Sequence, residues 1–211
     1  VFNSAEMSIL RSHTKPMIDN ISLLLLVALG LIYLSGVIYA ASFADRMIFP
    51  HVPSSYADGP DTFKLKASDG ADITATYLEA PASQHLLLYS HGNGVDIGMI
   101  RNYLEIFQAA GISVLAYDYP GYGTSSGEAS ETGVYAAADA AYAYATQTLN
   151  FAPGQITLYG RSLGSGPSCW LAERYPIGRL IMDGAFSSAF RVMTRNKILP
   201  WDKFDNLARL R

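Results

Sequence analysis

The sequence contains one cysteine, four histidines and no run of basic residues in a chain of 211. The lone Cys169 excludes a disulfide within the chain, and its neighbours include no group that would activate it, which favours a buried core thiol. No zinc-type ligand spacing occurs, so no metal is expected. A net charge of −3 leaves no electrostatic footprint for nucleic acid. A dinucleotide-binding loop of the form G-x-G-x-x-G is also missing, so no cofactor is expected.

Charged residues are scarce as well, at 16% of the chain against roughly 25% in typical soluble domains. The apolar excess is concentrated near the N-terminus, where the run from Ile21 to Ala41 contains no charge. About 20 such residues, at a rise of about 1.5 Å each, match a hydrocarbon core of about 30 Å. We therefore predict an N-terminal tail at 1–17 and one transmembrane helix, acting as an anchor, at 18–44.

The charges that flank this run predict its orientation. Arg11 and Lys15 precede it, whereas Asp45 and Arg46 cancel on the far side. The positive-inside tendency places the N-terminus in the cytoplasm and the rest on the non-cytoplasmic (periplasmic or lumenal) side. Two alternatives stay open. A cleaved signal peptide, ending at the small-x-small pattern Ser42-Phe43-Ala44, would secrete the domain, and a buried helix would need no membrane.

Beyond the anchor, the pattern of apolar residues predicts an α/β sheet. The segment 45–62 has the composition of a linker, and 63–211 forms the domain. Alternating apolar and polar residues at 63–67 and 73–78 predict a hairpin. Almost wholly apolar runs predict strands buried on both faces, separated by segments of helical spacing. These strands are 86–89, 112–117, 156–159 and 180–182, and the helices are 100–110, 131–149 and 163–175. This order specifies a doubly wound, mostly parallel sheet.

The sequence Gly160-Arg161-Ser162-Leu163-Gly164 fits the pattern G-x-S-x-G between a predicted strand and a predicted helix. In this pattern the serine sits on a sharp, strained turn that raises its hydroxyl above the sheet. The residues two positions away, Gly160 and Gly164, must then be small enough to avoid collision. The setting predicts that Ser162 is a nucleophile rather than part of an ordinary glycine-rich turn.

A second motif, His91-Gly92-Asn93-Gly94, follows the first buried strand. Its glycines allow the backbone to curl around a substrate oxygen, and the N–H groups of Asn93 and Leu163 are predicted to form a two-donor oxyanion hole. We expect His91 to brace this loop rather than act as a base. The side chain of Asn93 has a structural alternative as well, since an asparagine there can cap a turn.

The third motif, DYPGYG at 118–123, ends the strand 112–117. Together, HGNG, DYPGYG and GRSLG in this order resemble the membrane-anchored α/β-hydrolases of the Bem46-like group, which includes the α/β-hydrolase domain-containing proteins 13 and 17. The lead-in RMIFP at 46–50 is also similar to the entry segment of that group. The resemblance runs from about Phe43 to the C-terminus. It implies an α/β-hydrolase fold, a serine-hydrolase activity through Ser162, and a structural role for Asp118.

The catalytic base is missing from this pattern. In the α/β-hydrolase fold the triad follows the order Ser, Asp or Glu, then His, but all four histidines precede Ser162. We therefore expect the sequence to be truncated, with the triad acid and histidine beyond residue 211. Asp183, after the strand 180–182, is the candidate acid present. Without a base Ser162 keeps the weak nucleophilicity of an alcohol, so we expect the chain as written to have little hydrolase activity.

For the intact protein, these residues predict hydrolysis of an ester, thioester or amide acyl bond. The anchor favours a small-molecule or lipid-like acyl substrate. The alternative is a non-catalytic, membrane-tethered binding or scaffold module with the same fold. An intact G-x-S-x-G turn and a glycine-rich oxyanion loop favour the enzyme, because a scaffold needs neither.

Overall fold

The computed structural model describes the backbone of residues 4–81 and 83–211, and the side chains of 20–81, 83–192 and 194–211. The chain divides between Ala44 and Asp45 into two compact units. Most of the first unit belongs to helix α1, Ser4–Ile48. Within α1, the part Asn20–Ile48 is long and apolar enough to cross a membrane, with a mean hydropathy of 2.6 in an 18-residue window that is not buried. This exposure argues against a buried soluble helix.

The bounds of helix α1 differ from those of the predicted anchor. The helix continues past the predicted anchor boundary at 44 and ends at Ile48, shortly before the helix-breaking Pro50. The predicted tail begins outside the described residues and is part of α1 from Ser4 onward. The side chains of Arg11 and Lys15, on which the predicted orientation depends, also lie outside the described residues.

The second unit opens with the predicted hairpin. Strand β1, Phe63–Lys66, pairs antiparallel with β2, Asp72–Leu78, in a register that joins Phe63 to Ala75. The turn between them contains Gly70 at φ +91°, a left-handed conformation that favours glycine. The hairpin prediction is confirmed, and β2 attaches this hairpin to the rest of the sheet by a second antiparallel pairing.

The sheet has six strands in the order β1-β2-β4-β3-β5-β6. The last four in sequence are β3 Leu86–Ser90, β4 Ser113–Tyr117, β5 Ile156–Arg161 and β6 Arg179–Asp183. These four run parallel, with β3 between β4 and β5. Every residue of β3 and β4 is buried, as their continuous apolar sequences predict.

Helices connect the parallel strands. The longer ones are α2 Arg101–Ala109, α3 Glu131–Gln147 and α4 Ser165–Arg174. Short 3₁₀ turns cover Pro153–Gln155 and Ser162–Gly164, and the short helices α5 Ala189–Thr194 and α6 Asn206–Arg209 follow β6. The predicted helix 163–175 therefore starts as a tight 3₁₀ turn and becomes an α-helix only at Ser165.

Each face of the sheet is covered by its own helices. Alternate residues of β3 point to opposite faces, so Leu88 joins one hydrophobic cluster and Leu87 the other. Helices α3 and α4 contribute Val134 and Leu171 to the first cluster, whereas α2 contributes Leu104 to the second. Coverage of both faces confirms the predicted doubly wound α/β sheet.

Two features of the region after Ser162 fix α4 in place. Cys169 is fully buried, as predicted, and burial raises the pKa of its thiol to about 11. Phe204, also fully buried, packs edge-on against Phe49 and Tyr135 and lies so close to Gly166 that a β-carbon there would overlap the phenyl ring. The segment after β6 therefore packs against α4 and the start of this unit.

We predict that Leu104→Ala lowers the free energy of unfolding of this unit by about 2–5 kcal/mol, because Leu104 is fully buried between α2 and the sheet. The control is Ile106→Ala on the exposed side of the same helix, where the expected change is below about 0.5 kcal/mol. Urea unfolding followed by tryptophan fluorescence in detergent measures both. Equal losses of stability for the two variants would contradict the assignment of Leu104 to the buried face of α2 and of Ile106 to its exposed face.

Candidate active site

The three sequence motifs meet at one edge of the sheet. Strand β3 pairs in parallel with β4 and β5, so that Ser90 lies level with Tyr117 on one side and with Gly160 on the other. HGNG follows Ser90, DYPGYG follows Tyr117 and GRSLG begins at Gly160, so the three segments leave the sheet side by side. The carboxyl ends of central parallel strands are where α/β proteins bind their ligands.

Ser162 occupies a strained turn directly after β5. Its φ is +50°, in the left-handed region that non-glycine residues seldom adopt. The residue is exposed, and the 3₁₀ turn Ser162–Gly164 leads straight into α4. The first N–H groups of a helical segment have no acceptor within it, so this turn presents donors beside the serine.

The glycines around Ser162 are required by close backbone contacts. A β-carbon at Gly160 would lie 2.5 Å from the carbonyl oxygen of Gly164 and 2.7 Å from Ser168 Oγ. A β-carbon at Gly164 would overlap the carbonyl oxygen of Ser90 at the end of β3. Both positions therefore exclude any larger residue unless the backbone moves.

The HGNG loop lies against this turn. A β-carbon at Gly92 would lie 3.7 Å from Ser162 Cβ, and Gly94 adopts φ +71°. The Asn93 side chain is held on both sides: Nδ2 donates to the Ile48 carbonyl at 2.5 Å, and Oδ1 accepts from the Tyr122 hydroxyl at 2.7 Å. These two hydrogen bonds fix the Asn93 side chain beside the Ser162 turn, and the role of its backbone N–H as an oxyanion donor stays a prediction.

His91 is packed underneath the loop. Its ring is fully buried against Tyr119, with the ring centres 4.1 Å apart, and Nδ1 lies 2.8 Å from the Gly92 carbonyl oxygen. Nε2 lies 3.2 Å from Asp118 Oδ1, in a direction too oblique for a regular hydrogen bond. This environment suits a structural role in which His91 supports the HGNG loop. The imidazole is buried and does not line the cavity at Ser162.

Asp118 connects several loops at the site and is itself fully buried. Oδ1 accepts from the Ile97 N–H at 2.9 Å, and Oδ2 accepts from the Tyr56 hydroxyl at 2.5 Å. The burial of Tyr56 and the charge of Asp118 both raise the pKa of the Tyr56 hydroxyl. The hydroxyl therefore remains a donor at neutral pH, and Asp118 has the structural position that the family resemblance implies.

A cavity of about 320 Å³ opens beside Ser162. It is lined by Tyr89, Gly92, Asn93, Val95, Ile100, Arg161 and Ser162. Among the described side chains no histidine lines it. Sequence reasoning missed Tyr89 and Arg161 as members of this site. The position of Arg161 inside the G-x-S-x-G motif was the one available signal, whereas Tyr89 looked like an ordinary residue of a buried strand.

Asp183, the candidate acid, lies level with Arg161 on the neighbouring strand β6. Its Oδ2 accepts from the Tyr159 hydroxyl at 3.1 Å and lies 3.8 Å from Arg161 Nε. The Asp183 carboxylate therefore already contacts two residues of β5. Its role as triad acid stays a prediction.

The fold and the strand–turn–helix arrangement at Ser162 are characteristic of the α/β-hydrolase class of proteins. Residues 86–208 match the model of the α/β hydrolase fold family, and the chain belongs to that family. It is similar to α/β hydrolase domain-containing protein 17B of Xenopus laevis, at 32% identity over 157 residues, which cover 72% of this chain and 54% of that protein. It is also similar to protein 17C of Mus musculus, at 40% identity over 114 residues, covering 54% and 36%. The resemblance to the 17-type proteins is confirmed.

The fold also matches solved structures. The esterase Pf2001 of Pyrococcus furiosus superposes with a TM-score of 0.57 at 15% identity, covering 70% of this chain and 60% of the esterase. An α/β hydrolase from Vibrio vulnificus gives 0.56 at 22% identity, covering 71% and 58%. These likenesses confirm the α/β-hydrolase fold. The chain spans between about a third and about half the length of these curated relatives.

We predict that Gly164→Ala lowers the free energy of unfolding by about 1–3 kcal/mol, because its β-carbon would meet the Ser90 carbonyl oxygen at the end of the central strand β3. The matched control is Gly154→Ala, whose β-carbon meets nothing within 4 Å and whose stability should change by less than about 0.5 kcal/mol. Urea midpoints of the two variants compare them. A tolerated alanine at 164 would refute the close contact between β3 and the Ser162 turn.

Proposed function

We propose that the intact protein is a serine hydrolase that cleaves an ester, thioester or amide acyl bond through Ser162. The observation that carries this proposal is the exposed serine at φ +50°, between the end of a central strand and a helix and at the wall of a cavity. Backbone strain of this kind costs about 1–3 kcal/mol and persists where the surrounding structure enforces it, typically at functional sites.

In the proposed reaction, Ser162 Oγ attacks the acyl carbonyl carbon, and the carbonyl oxygen takes up the negative charge. The N–H groups of Asn93 and Leu163 stabilise that charge, and the N-terminus of the helical segment 162–174 adds to the favourable field. A base removes the serine proton and passes it to the leaving group, and water then releases the acyl group.

The base and its acid are the remaining part of the proposal. Since no histidine among the described side chains lines the cavity, we assign both roles to parts of the intact protein other than these 211 residues, with Asp183 as the alternative acid. The same observation supports the second candidate function, a membrane-tethered module that binds acyl compounds without cleaving them.

We also propose that α1 anchors the protein and that the hydrolase domain lies on the non-cytoplasmic side. The support is the apolar span Asn20–Ile48 together with the charges that flank it in the sequence. A membrane-anchored hydrolase encounters lipid-like acyl groups at high local concentration, which favours a lipophilic substrate. Cleavage of the span as a signal peptide is the alternative, and it would place the domain on the same side.

The test is covalent labelling of the intact, membrane-bound protein with an alkyl fluorophosphonate. We predict a single adduct on Ser162, located by peptide mass spectrometry, and loss of labelling in Ser162→Ala. The control Ser187→Ala removes an exposed serine in the segment after β6 and should label like the parent. A folded protein that is not labelled would favour the binding module over the hydrolase.

A further inference from the structure

The cavity beside Ser162 carries a cation that the acyl-transfer chemistry does not use. Arg161 precedes the serine, lines the same cavity, and has a side chain that is 52% exposed. Its guanidinium lies over the Tyr103 ring, 5.6 Å from the centre, which restrains its position. Asp183 faces its Nε at 3.8 Å, too far for the bidentate pairing in which arginine neutralises a carboxylate most fully.

A second donor lies deeper in the same cavity. Tyr89 is fully buried, with its ring stacked on Tyr159 at 5.0 Å and edge-on to Tyr103. Within the described part of the chain, its hydroxyl has no partner in regular hydrogen-bond geometry, although Arg161 lies near enough for a side-chain interaction in which the guanidinium is the donor. Burial raises the pKa of Tyr89 to about 12, so the phenol stays protonated. Because a guanidinium can only donate, the Tyr89 hydroxyl keeps its own hydrogen, and a buried O–H donor without an acceptor is favourably placed to bind a ligand.

From this arrangement we propose that Arg161 and Tyr89 form an anion-binding subsite, and that the substrate is an acyl ester carrying a carboxylate or a phosphate near the scissile bond. This proposal rests on the proposed function, since it names the substrate class of the same site. A guanidinium carries five N–H donors and no acceptor, and the phenol adds one O–H donor. Donors of this kind match the oxygen atoms of an anion.

The neighbouring groups agree with this assignment. Val95 and Ile100 form the apolar part of the cavity wall, where a short hydrocarbon linker would lie. Asp183 is the acidic group nearest to Arg161 in the described structure, and its Oδ2 already accepts from the Tyr159 hydroxyl. Arg161 uses Nε toward Asp183 and also interacts with the Tyr89 hydroxyl, and with five N–H donors the guanidinium retains donors for a ligand.

The experiment measures binding by calorimetry to the intact protein carrying Ser162→Ala, so that no probe is hydrolysed. Monomethyl glutarate is compared with dimethyl glutarate, which lacks the charge, and 1-butyrylglycerol 3-phosphate is compared with monobutyrin. We expect at least one anion to bind about 10-fold more tightly than its neutral partner, the range of a charge-assisted hydrogen-bond pair. For each pair we take the ratio of the affinity for the anion to the affinity for its neutral partner. The pair with the larger ratio shows whether the substrate carries a carboxylate or a phosphate.

Arg161→Met should reduce that ratio to near one while it changes the affinity for the neutral ester by less than about threefold. Arg179→Met, at an exposed arginine outside this cavity, removes the same charge from the domain and should preserve the ratio. Tyr89→Phe should lower the ratio partially without loss of the fold.

Equal binding of charged and neutral esters, or an anion preference that survives Arg161→Met, would overturn the subsite. These results do not depend on the reactivity of Ser162. A failure of fluorophosphonate labelling in the parent protein therefore identifies a failure of the proposed catalysis, whereas equal binding identifies a failure of the subsite.

Discussion

The close approach of two backbone turns, at the ends of β3 and β5, is the constraint on which the candidate site depends. Gly164 lies against the Ser90 carbonyl and Gly92 against Ser162 Cβ, so the HGNG loop and the serine turn are in direct contact. No side chain separates them. This contact keeps Ser162 in its left-handed conformation, because relaxation of the turn would require β3 and α4 to separate.

A buried carboxylate holds the next layer of the site in place. Asp118 binds the Ile97 amide and the Tyr56 hydroxyl and lies beside His91, so three separate parts of the chain meet at one group. Burying a charge is unfavourable unless donors compensate for the lost water, and these contacts supply that compensation. The arrangement explains how the segment 45–62, which has the composition of a linker, is bound firmly to the domain through Tyr56.

Much of this architecture could be predicted from the sequence because its signals are local. The apolar runs of β3 and β4, the turn at Gly70 and the glycine spacing around Ser162 each express a requirement of neighbouring residues. The contact of Tyr56 with Asp118 could not be predicted in this way, since the two residues are 62 positions apart and meet only in the folded sheet. Arg161 and Tyr89 were missed as a pair for the same reason, because their proximity depends on the pairing of β5 with β3.

The boundaries show a second limit. The anchor helix runs to Ile48 and the helix after Ser162 begins as a 3₁₀ turn, because local strain and the nearest proline decide these ends. The proposed catalytic base could not be predicted from either kind of signal. All four histidines precede Ser162 in the sequence, and none of the described residues that line the cavity is a histidine.

The most direct test of the central claim is a crystal structure of the intact protein after reaction with an alkyl fluorophosphonate. We predict a phosphorus–oxygen bond to Ser162 Oγ, with the phosphoryl oxygen about 3 Å from the backbone nitrogens of Asn93 and Leu163. An adduct on another residue, or a phosphoryl oxygen directed away from both nitrogens, would contradict the assignment of nucleophile and oxyanion hole.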